Sequence, residues 1–274
     1  MKIALIPNFE KTGTKDLLLN AIKILSDSGA ECFVPESIMV DCKSMPDNLL
    51  YENCDIVITI GGDGTLIKHA KAASRHEKSC LGINTGRLGF LANLEKDQLG
   101  LLEKLVSGDF SVESRMMLSV KAVKNGLVVC EDIALNDAVI SSGAVSKMTD
   151  ISLNVSGDGI EYVADGVIFS TPTGSTAYSM SAGGPIIDPE VRCITVTPIC
   201  SHSLTARPIL ANEFAQMRVG LKDSSRTKAI LTVDGKHCCE VDFDTQIYIS
   251  RCPFDAKLIN VSDATIYKTI SKKF

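Results

Sequence analysis

The 274-residue chain carries 33 acidic and 28 basic side chains, a formal charge of −5, and 45% hydrophobic residues, the balance of an ordinary globular protein. That acidity argues against a nucleic-acid partner, which needs a basic face, and the lack of tryptophan argues against an aromatic platform for single strands. No uninterrupted apolar run is long enough to cross a bilayer, and the apolar part of Met1–Pro7 is too short for a secretory signal, so the expected setting is cytoplasmic, with no membrane partner. Ten cysteines would suit a disulfide scaffold only in a much smaller secreted chain. No Cys-x-x-Cys pair occurs, and buried, reduced thiols are expected.

In chain order, Lys2 to Pro7 predicts a strand, and Leu18, Ala21, Ile22 and Leu25 mark one helical face by their spacing of three and four. Gly29 stops that helix, and Glu31 to Val34 predicts the next strand. Asp55 to Ile60 is an apolar run of the kind found in buried parallel strands. A helix is expected over Leu66 to Ser74, a strand over Cys80 to Asn84, and a helix from about Lys96 to Val106 that ends at Gly108. Strands separated by helices predict an α/β domain with an open parallel sheet.

From about Val112 the pattern changes to paired strands around tight turns. Asn125-Gly126 and Asp234-Gly235 are hairpin signals, and Gly157-Asp158-Gly159 predicts a third turn. One helix is expected near Ser175 to Ala182. The segment from about Phe254 has no place in this second, mainly antiparallel domain and is expected to return to the first. The predicted organisation is residues 1–111 plus 254–274 as the α/β domain and 112–253 as the β-rich domain.

The chemistry concentrates in a few segments. Gly61-Gly62-Asp63-Gly64-Thr65 lies between a predicted strand and helix. Glycines there let backbone approach a bulky anion, and the helix N-terminus supplies N–H donors and a positive dipole end. An acidic residue in that spot would repel phosphate, so Asp63 points to metal coordination or proton acceptance beside it. Turn statistics alone explain an isolated Gly-Asp-Gly, as at Ser156-Gly157-Asp158-Gly159; the strand and helix around Asp63 lift the first cluster above that.

A second glycine-punctuated turn, Asn84-Thr85-Gly86-Arg87-Leu88-Gly89-Phe90-Leu91, also follows a strand, and two such turns can face one crevice. Asn136-Asp137 sits in an apolar run, where a turn or a ligand must satisfy it. Asp165 to Pro185 is dense in hydroxyls and glycines, which suits a sugar or diphosphate; a helix N-cap accounts for one or two of these residues, not for six. Pro198 to Pro208 contains His202 and Arg207. No P-loop, Gly-x-Gly-x-x-Gly, nucleophile elbow or protein-kinase set occurs.

Taken together and in this order, these motifs resemble the NAD kinases over nearly the whole chain. The resemblance implies ATP as donor, NAD as acceptor, a divalent metal ion such as Mg²⁺, and a homodimer or homotetramer. Asp63 would accept the proton of the 2′-hydroxyl on the adenosine ribose of NAD. Gly61, Gly62 and Gly64, with Thr65 and Lys68, would bind nucleotide phosphates. Phe90 would pack near the adenine, while Asn136 and Asp165 would hydrogen-bond the adenine and ribose region. Thr173, Thr176, Ala177, Tyr178 and Ser181 would line the same site. Asp137 stands where the family usually has Glu, one methylene longer. Two rivals share part of the pattern. A lipid kinase has a similar Asp63 turn but needs an apolar acceptor pocket, against which the polar Thr171–Ser181 run speaks. A non-catalytic dinucleotide sensor would bind NAD and form no NADP.

Overall fold

The computed structural model describes residues 1–86, 89–91, 94–143, 148–222, 228–262 and 265–273; Arg87 and Leu88 of the second glycine turn lie outside them. The chain divides into two compact units, Met1–Ser114 with Ala256–Phe274, and Arg115–Asp255.

In the first unit, β1 (Lys2–Pro7), α1 (Thr14–Asp27), β2 (Glu31–Pro35), β3 (Lys43–Met45) and α2 (Asp47–Asn53) precede β4 (Ile56–Gly61) and α3 (Asp63–Ser74). Then follow β5 (Ser79–Asn84), β6 (Leu94–Glu95), a 3₁₀ segment at Lys96–Leu102, α4 (Glu103–Ser107) and β7 (Ser111–Arg115). The sheet order is β3-β2-β1-β4-β5, and β1, β2, β4 and β5 run parallel. Every residue of β4 is buried, as expected of a parallel strand covered on both faces. Helix α1 buries Leu18, Ala21 and Leu25, the face its spacing selects. The helix expected from Lys96 to Val106 is instead 3₁₀ over its first turns, and it ends at Gly108 with φ of 79°, the left-handed conformation that glycine adopts without strain. β3 and α2 were not anticipated: they are short, and β3 is a polar strand at the sheet edge.

The second unit holds β8 (Leu118–Lys124), β9 (Leu127–Ala134), β10 (Asp137–Ser142), β11 (Thr149–Val155), β12 (Asp158–Ala164) and β13 (Gly166–Ser170). After a 3₁₀ turn at Thr173–Thr176 come α5 (Tyr178–Ser181), β14 (Cys193–Ile199), β15 (Ile209–Asn212), β16 (Met217–Leu221), β17 (Ala229–Val233), β18 (Lys236–Val241) and β19 (Thr245–Arg251). They form two antiparallel sheets, β15-β14-β13-β10-β17-β18 and β12-β11-β16-β19-β8-β9. Inward residues from both sheets, among them Leu118, Ile151, Phe169, Val219, Leu231 and Ile247, share one core. The chain then returns to the first unit as β20 (Ala256–Asn260), parallel to β5, and ends in α6 (Ile266–Lys273).

Positive φ at Asn125 and Gly126, and at Asp234 and Gly235, gives the two-residue hairpins their dipeptides predict. The third turn differs: Ser156 and Gly157 carry the positive φ, and Asp158 already opens β12. The expected Ser175–Ala182 helix is reduced to the 3₁₀ turn and the single turn of α5, separated at Ala177, whose φ of −101° and ψ of −129° are not helical. Among the cysteines, Cys32, Cys54, Cys80, Cys193 and Cys252 are free and buried as expected. Cys130 on β9 and Cys238 on β18 lie side by side, their Cα atoms 6.1 Å apart.

Candidate active site

The strand order reverses between β1, whose successors lie on one side, and β4, whose successors lie on the other. That is the topological switch point where open α/β sheets bind ligands. Asn8, just past β1, donates its backbone N–H to the carbonyl of Ile60 at 2.8 Å and its side-chain N–H to Thr65 Oγ1 at 3.2 Å. It ties the Gly61–Thr65 turn to the end of β1. Sequence reasoning passed over Asn8, although a polar residue directly after a buried strand at a switch point is a usable signal.

The three glycines of the turn differ in what they are for. A β-carbon on Gly61 would come within 2.5 Å of Thr65 Oγ1, whereas one on Gly62 or Gly64 would meet nothing within 4 Å. Gly61 is therefore needed for packing. Gly62 has an extended backbone with φ of −106° that any residue can adopt, so its missing side chain serves only to leave space over the start of α3. The first-turn N–H groups of a helix have no carbonyl four residues back inside the helix. Thr65 and Leu66 turn theirs to the Gly62 carbonyl. Lys68 is exposed one turn further along α3.

Asp63 begins α3. Its carboxylate accepts hydrogen bonds from the backbone N–H of Phe90 at 2.8 Å and of Leu91 at 3.3 Å. A β-carbon on Gly89 would overlap that carboxylate, so only glycine lets the second turn close onto Asp63. The two glycine turns of this unit thus meet at one aspartate. Phe90 is half-buried, and Lys273 at the end of α6 places its ammonium 4.0 Å from the Phe90 ring centre, a cation–π contact.

In the second unit the candidates gather where β9 passes into β10. Asp234, in the β17–β18 turn, accepts from the backbone N–H of Leu135 (3.0 Å), Asn136 (2.8 Å) and Asp137 (3.2 Å). The Asn136 carbonyl accepts from Thr171 N–H at 2.9 Å, and the Leu135 carbonyl accepts from Thr171 Oγ1 at 2.6 Å. Gly174 packs against the Asn136 backbone so closely that a β-carbon would collide with it. With its backbone held on both sides, Asn136 keeps a buried Oδ1 that has no hydrogen-bond partner among the described residues. Leaving such an acceptor unmet costs about 1–3 kcal/mol. Asp137 is buried; burial first, and the neighbouring Asp234 carboxylate second, push its pKa up to about 7.

The hydroxyl-rich run is largely engaged within the chain. Most of its side chains serve the fold itself. Ser170 Oγ donates to the Thr171 carbonyl, Thr176 Oγ1 to the Thr173 carbonyl, and Ser175 Oγ both donates to and accepts from Ile187; Ser179 Oγ bonds Thr197 Oγ1. Thr173 is buried. What faces outward is Tyr178 and Ser181, with Thr176 and Ala177 half-buried. Asp165 is exposed and bonded through its backbone to Ile199 and Ser142. Arg207 gives its guanidinium to the carbonyls of Leu204 and Ala206 in its own loop, and His202 is exposed.

A glycine turn opening a helix at a switch point, with a carboxylate at its first residue, is the layout of a nucleotide-dependent phosphotransferase. The family description of the ATP-NAD kinase N-terminal domain matches residues 3–110, and that of the ATP-NAD kinase C-terminal domain matches residues 135–261. An NAD kinase of Caldanaerobacter subterraneus subsp. tengcongensis is 35% identical, over 99% of this chain and 98% of its own length. One of Acetivibrio thermocellus is 39% identical, over 88% of this chain and 86% of its own. The chain belongs to the NAD kinase family. Among solved structures, an NAD kinase from Archaeoglobus fulgidus in complex with ATP aligns over 100% of this chain and 98% of its own with a TM-score of 0.77 at 27% identity. Yeast NADH kinase complexed with NADH shares the fold, with a TM-score of 0.89 at 23% identity over 100% of this chain and 87% of its own.

Proposed function

We propose that this kinase transfers the γ-phosphoryl group of ATP to the 2′-hydroxyl of the adenosine ribose of NAD, with Asp63 as the proton acceptor. The observation that carries the assignment is the place of Asp63: first residue of a helix at the switch point, among glycines that leave space beside it. Phosphoryl transfer passes through a loose transition state, so alignment and charge neutralisation supply most of the acceleration. The Phe90 and Leu91 N–H groups fix the direction of this carboxylate, which supports its assignment to a proton that must be met in one place.

Gly61, Gly62, Gly64, Thr65 and Lys68 are assigned to the phosphates of the nucleotide, supported by the open space at Gly62 and Gly64. The second unit is assigned to the dinucleotide: Asn136 through its unmet Oδ1, Asp165 through its exposed carboxylate, and Thr173, Thr176, Ala177, Tyr178 and Ser181 as lining, with Phe90 of the first unit near the adenine. Asp137, shorter than the usual Glu and buried, is assigned to the ribose contact only in its immediate neighbourhood. No cluster of three His, Cys, Asp or Glu side chains able to hold a metal occurs among the described residues. The family resemblance implies a divalent ion, which would reach the site with the phosphates of ATP, since Mg²⁺ keeps waters and takes one or two carboxylates; its contribution there would be charge neutralisation. A homodimer or homotetramer is supported by the exposed Ile209 and Leu210 on edge strand β15, which a second copy could cover.

Asp63→Asn tests the assignment. It should keep most NAD affinity and lower kcat by roughly 10²–10⁴-fold, the size of a general-base contribution, in an assay of NADP formed from NAD, ATP and Mg²⁺. Unchanged turnover would remove Asp63 from the mechanism.

A further inference from the structure

We propose that Asp234 is a positioning residue for dinucleotide binding, holding the Asn136 side chain in place through the backbone of residues 135–137. The inference rests on the reading of Asn136 as a dinucleotide contact and goes beyond it. A two-residue hairpin requires only a residue that tolerates positive φ, and Asn125 and Ser156 fill the equivalent positions in the other two turns. Asp234 does more. Its carboxylate gathers three consecutive N–H groups, those of Leu135, Asn136 and Asp137, and its own N–H donates to the Asp137 carbonyl at 2.9 Å.

The segment so gripped is a bend between β9 and β10, where strand pairing does not organise the backbone by itself. The Asp234 carboxylate replaces the missing ladder on the N–H side, and Thr171 does so on the carbonyl side. Between these two anchors the Asn136 backbone has one place to be, so its Cα–Cβ bond is presented in a fixed direction before any ligand arrives. Charge-assisted hydrogen bonds from an anion to backbone N–H groups are the stronger kind, and preorganisation of this sort appears in affinity because the ordering cost has already been met.

The test is Asp234→Asn, which suits the hairpin because Asn-Gly is a favoured dipeptide for this turn. Its carboxamide removes the negative charge and half the acceptor capacity. The variant should raise the KM for NAD by about tenfold or more, the scale of a lost charge-assisted hydrogen bond, lower the thermal midpoint, and leave kcat and the KM for ATP close to those of the parent. A merely structural role would lower the midpoint without separating the KM for NAD from kcat and the KM for ATP, and that outcome would overturn the proposal, as would an unchanged KM for NAD. Asn136→Ala run alongside separates the two readings. If it leaves the KM for NAD unchanged, the assignment of Asn136 falls. If it raises that KM while Asp234→Asn does not, the inference about Asp234 falls alone. The double variant should be little worse than Asn136→Ala, because both changes remove one interaction.

Discussion

Asp63 and Asp234 use the same device in different units of the molecule. Each carboxylate gathers consecutive backbone N–H groups from a segment remote in sequence: Phe90 and Leu91 in one case, Leu135 to Asp137 in the other. Their surroundings separate them. Asp63 stands at the N-terminus of α3, beside Gly62 and Gly64, where an added β-carbon would meet nothing within 4 Å. Asp234 stands in a tight turn with its carboxylate bonded to three N–H groups of the chain. The comparison teaches that an aspartate in a glycine turn is assigned by the elements around it, not by the turn itself.

The largest expected effect is the loss of turnover in Asp63→Asn, and its contrast with Asp234→Asn is the sharpest form of the comparison. The first should act on kcat and the second on the KM for NAD. Next comes Gly89→Ala, whose β-carbon would occupy the position of the Asp63 carboxylate. Something must shift there, and displacement of a reacting group by about 1 Å can cost on the order of 10²-fold in rate. NADP formation by Gly89→Ala close to that of the parent would show that the contact between the two turns is dispensable.

Asp137→Asn should reveal a cost of ionisation that Asp234 helps to impose. With its pKa pushed up to about 7 by burial and then by Asp234, Asp137 holds its proton more firmly in the folded state than in the unfolded chain. Between about pH 4 and 7 the folded state therefore binds more protons, and this group lowers stability as pH rises through that window. The variant should gain stability over the parent on going from pH 5 to pH 8, by an amount on the order of 1–3 kcal/mol. Urea midpoints at the two pH values check this, and a difference that does not change with pH would assign the titration elsewhere. Smallest is Gly62→Ala, whose β-carbon meets nothing. It should leave the thermal midpoint unchanged and raise the KM for ATP severalfold, about 1 kcal/mol of lost binding. An unchanged KM for ATP would mean the opening beside Asp63 is not the phosphate site.

Much of the fold was legible because its signals are local. Apolar runs fixed β1, β4 and β5, the three-and-four spacing of Leu18, Ala21 and Leu25 gave α1, and Asn125-Gly126 and Asp234-Gly235 gave two hairpins. Gly61 to Thr65 was legible as a candidate site for the same reason, since strand, turn and helix are contiguous there. What escaped was set by the folded backbone. Ser170 and Ser179 belong to a run whose composition suits a ligand, and their hydroxyls bond the Thr171 carbonyl and Thr197, partners that composition does not reveal. Asp234 read as an ordinary turn residue because Leu135 to Asp137 lie about a hundred positions earlier. That Cys130 and Cys238 lie side by side depends on the meeting of β9 and β18, which no spacing announces. β3 and α2 were too short for periodicity to declare them.

The most direct test of the central claim is a crystal structure of the protein with NAD and a non-hydrolysable ATP analogue. The account predicts an Asp63 carboxylate oxygen about 3 Å from the 2′-oxygen of the adenosine ribose, within proton-transfer reach. A carboxylate bonded only to the Phe90 and Leu91 N–H groups, with that hydroxyl out of reach, would contradict it.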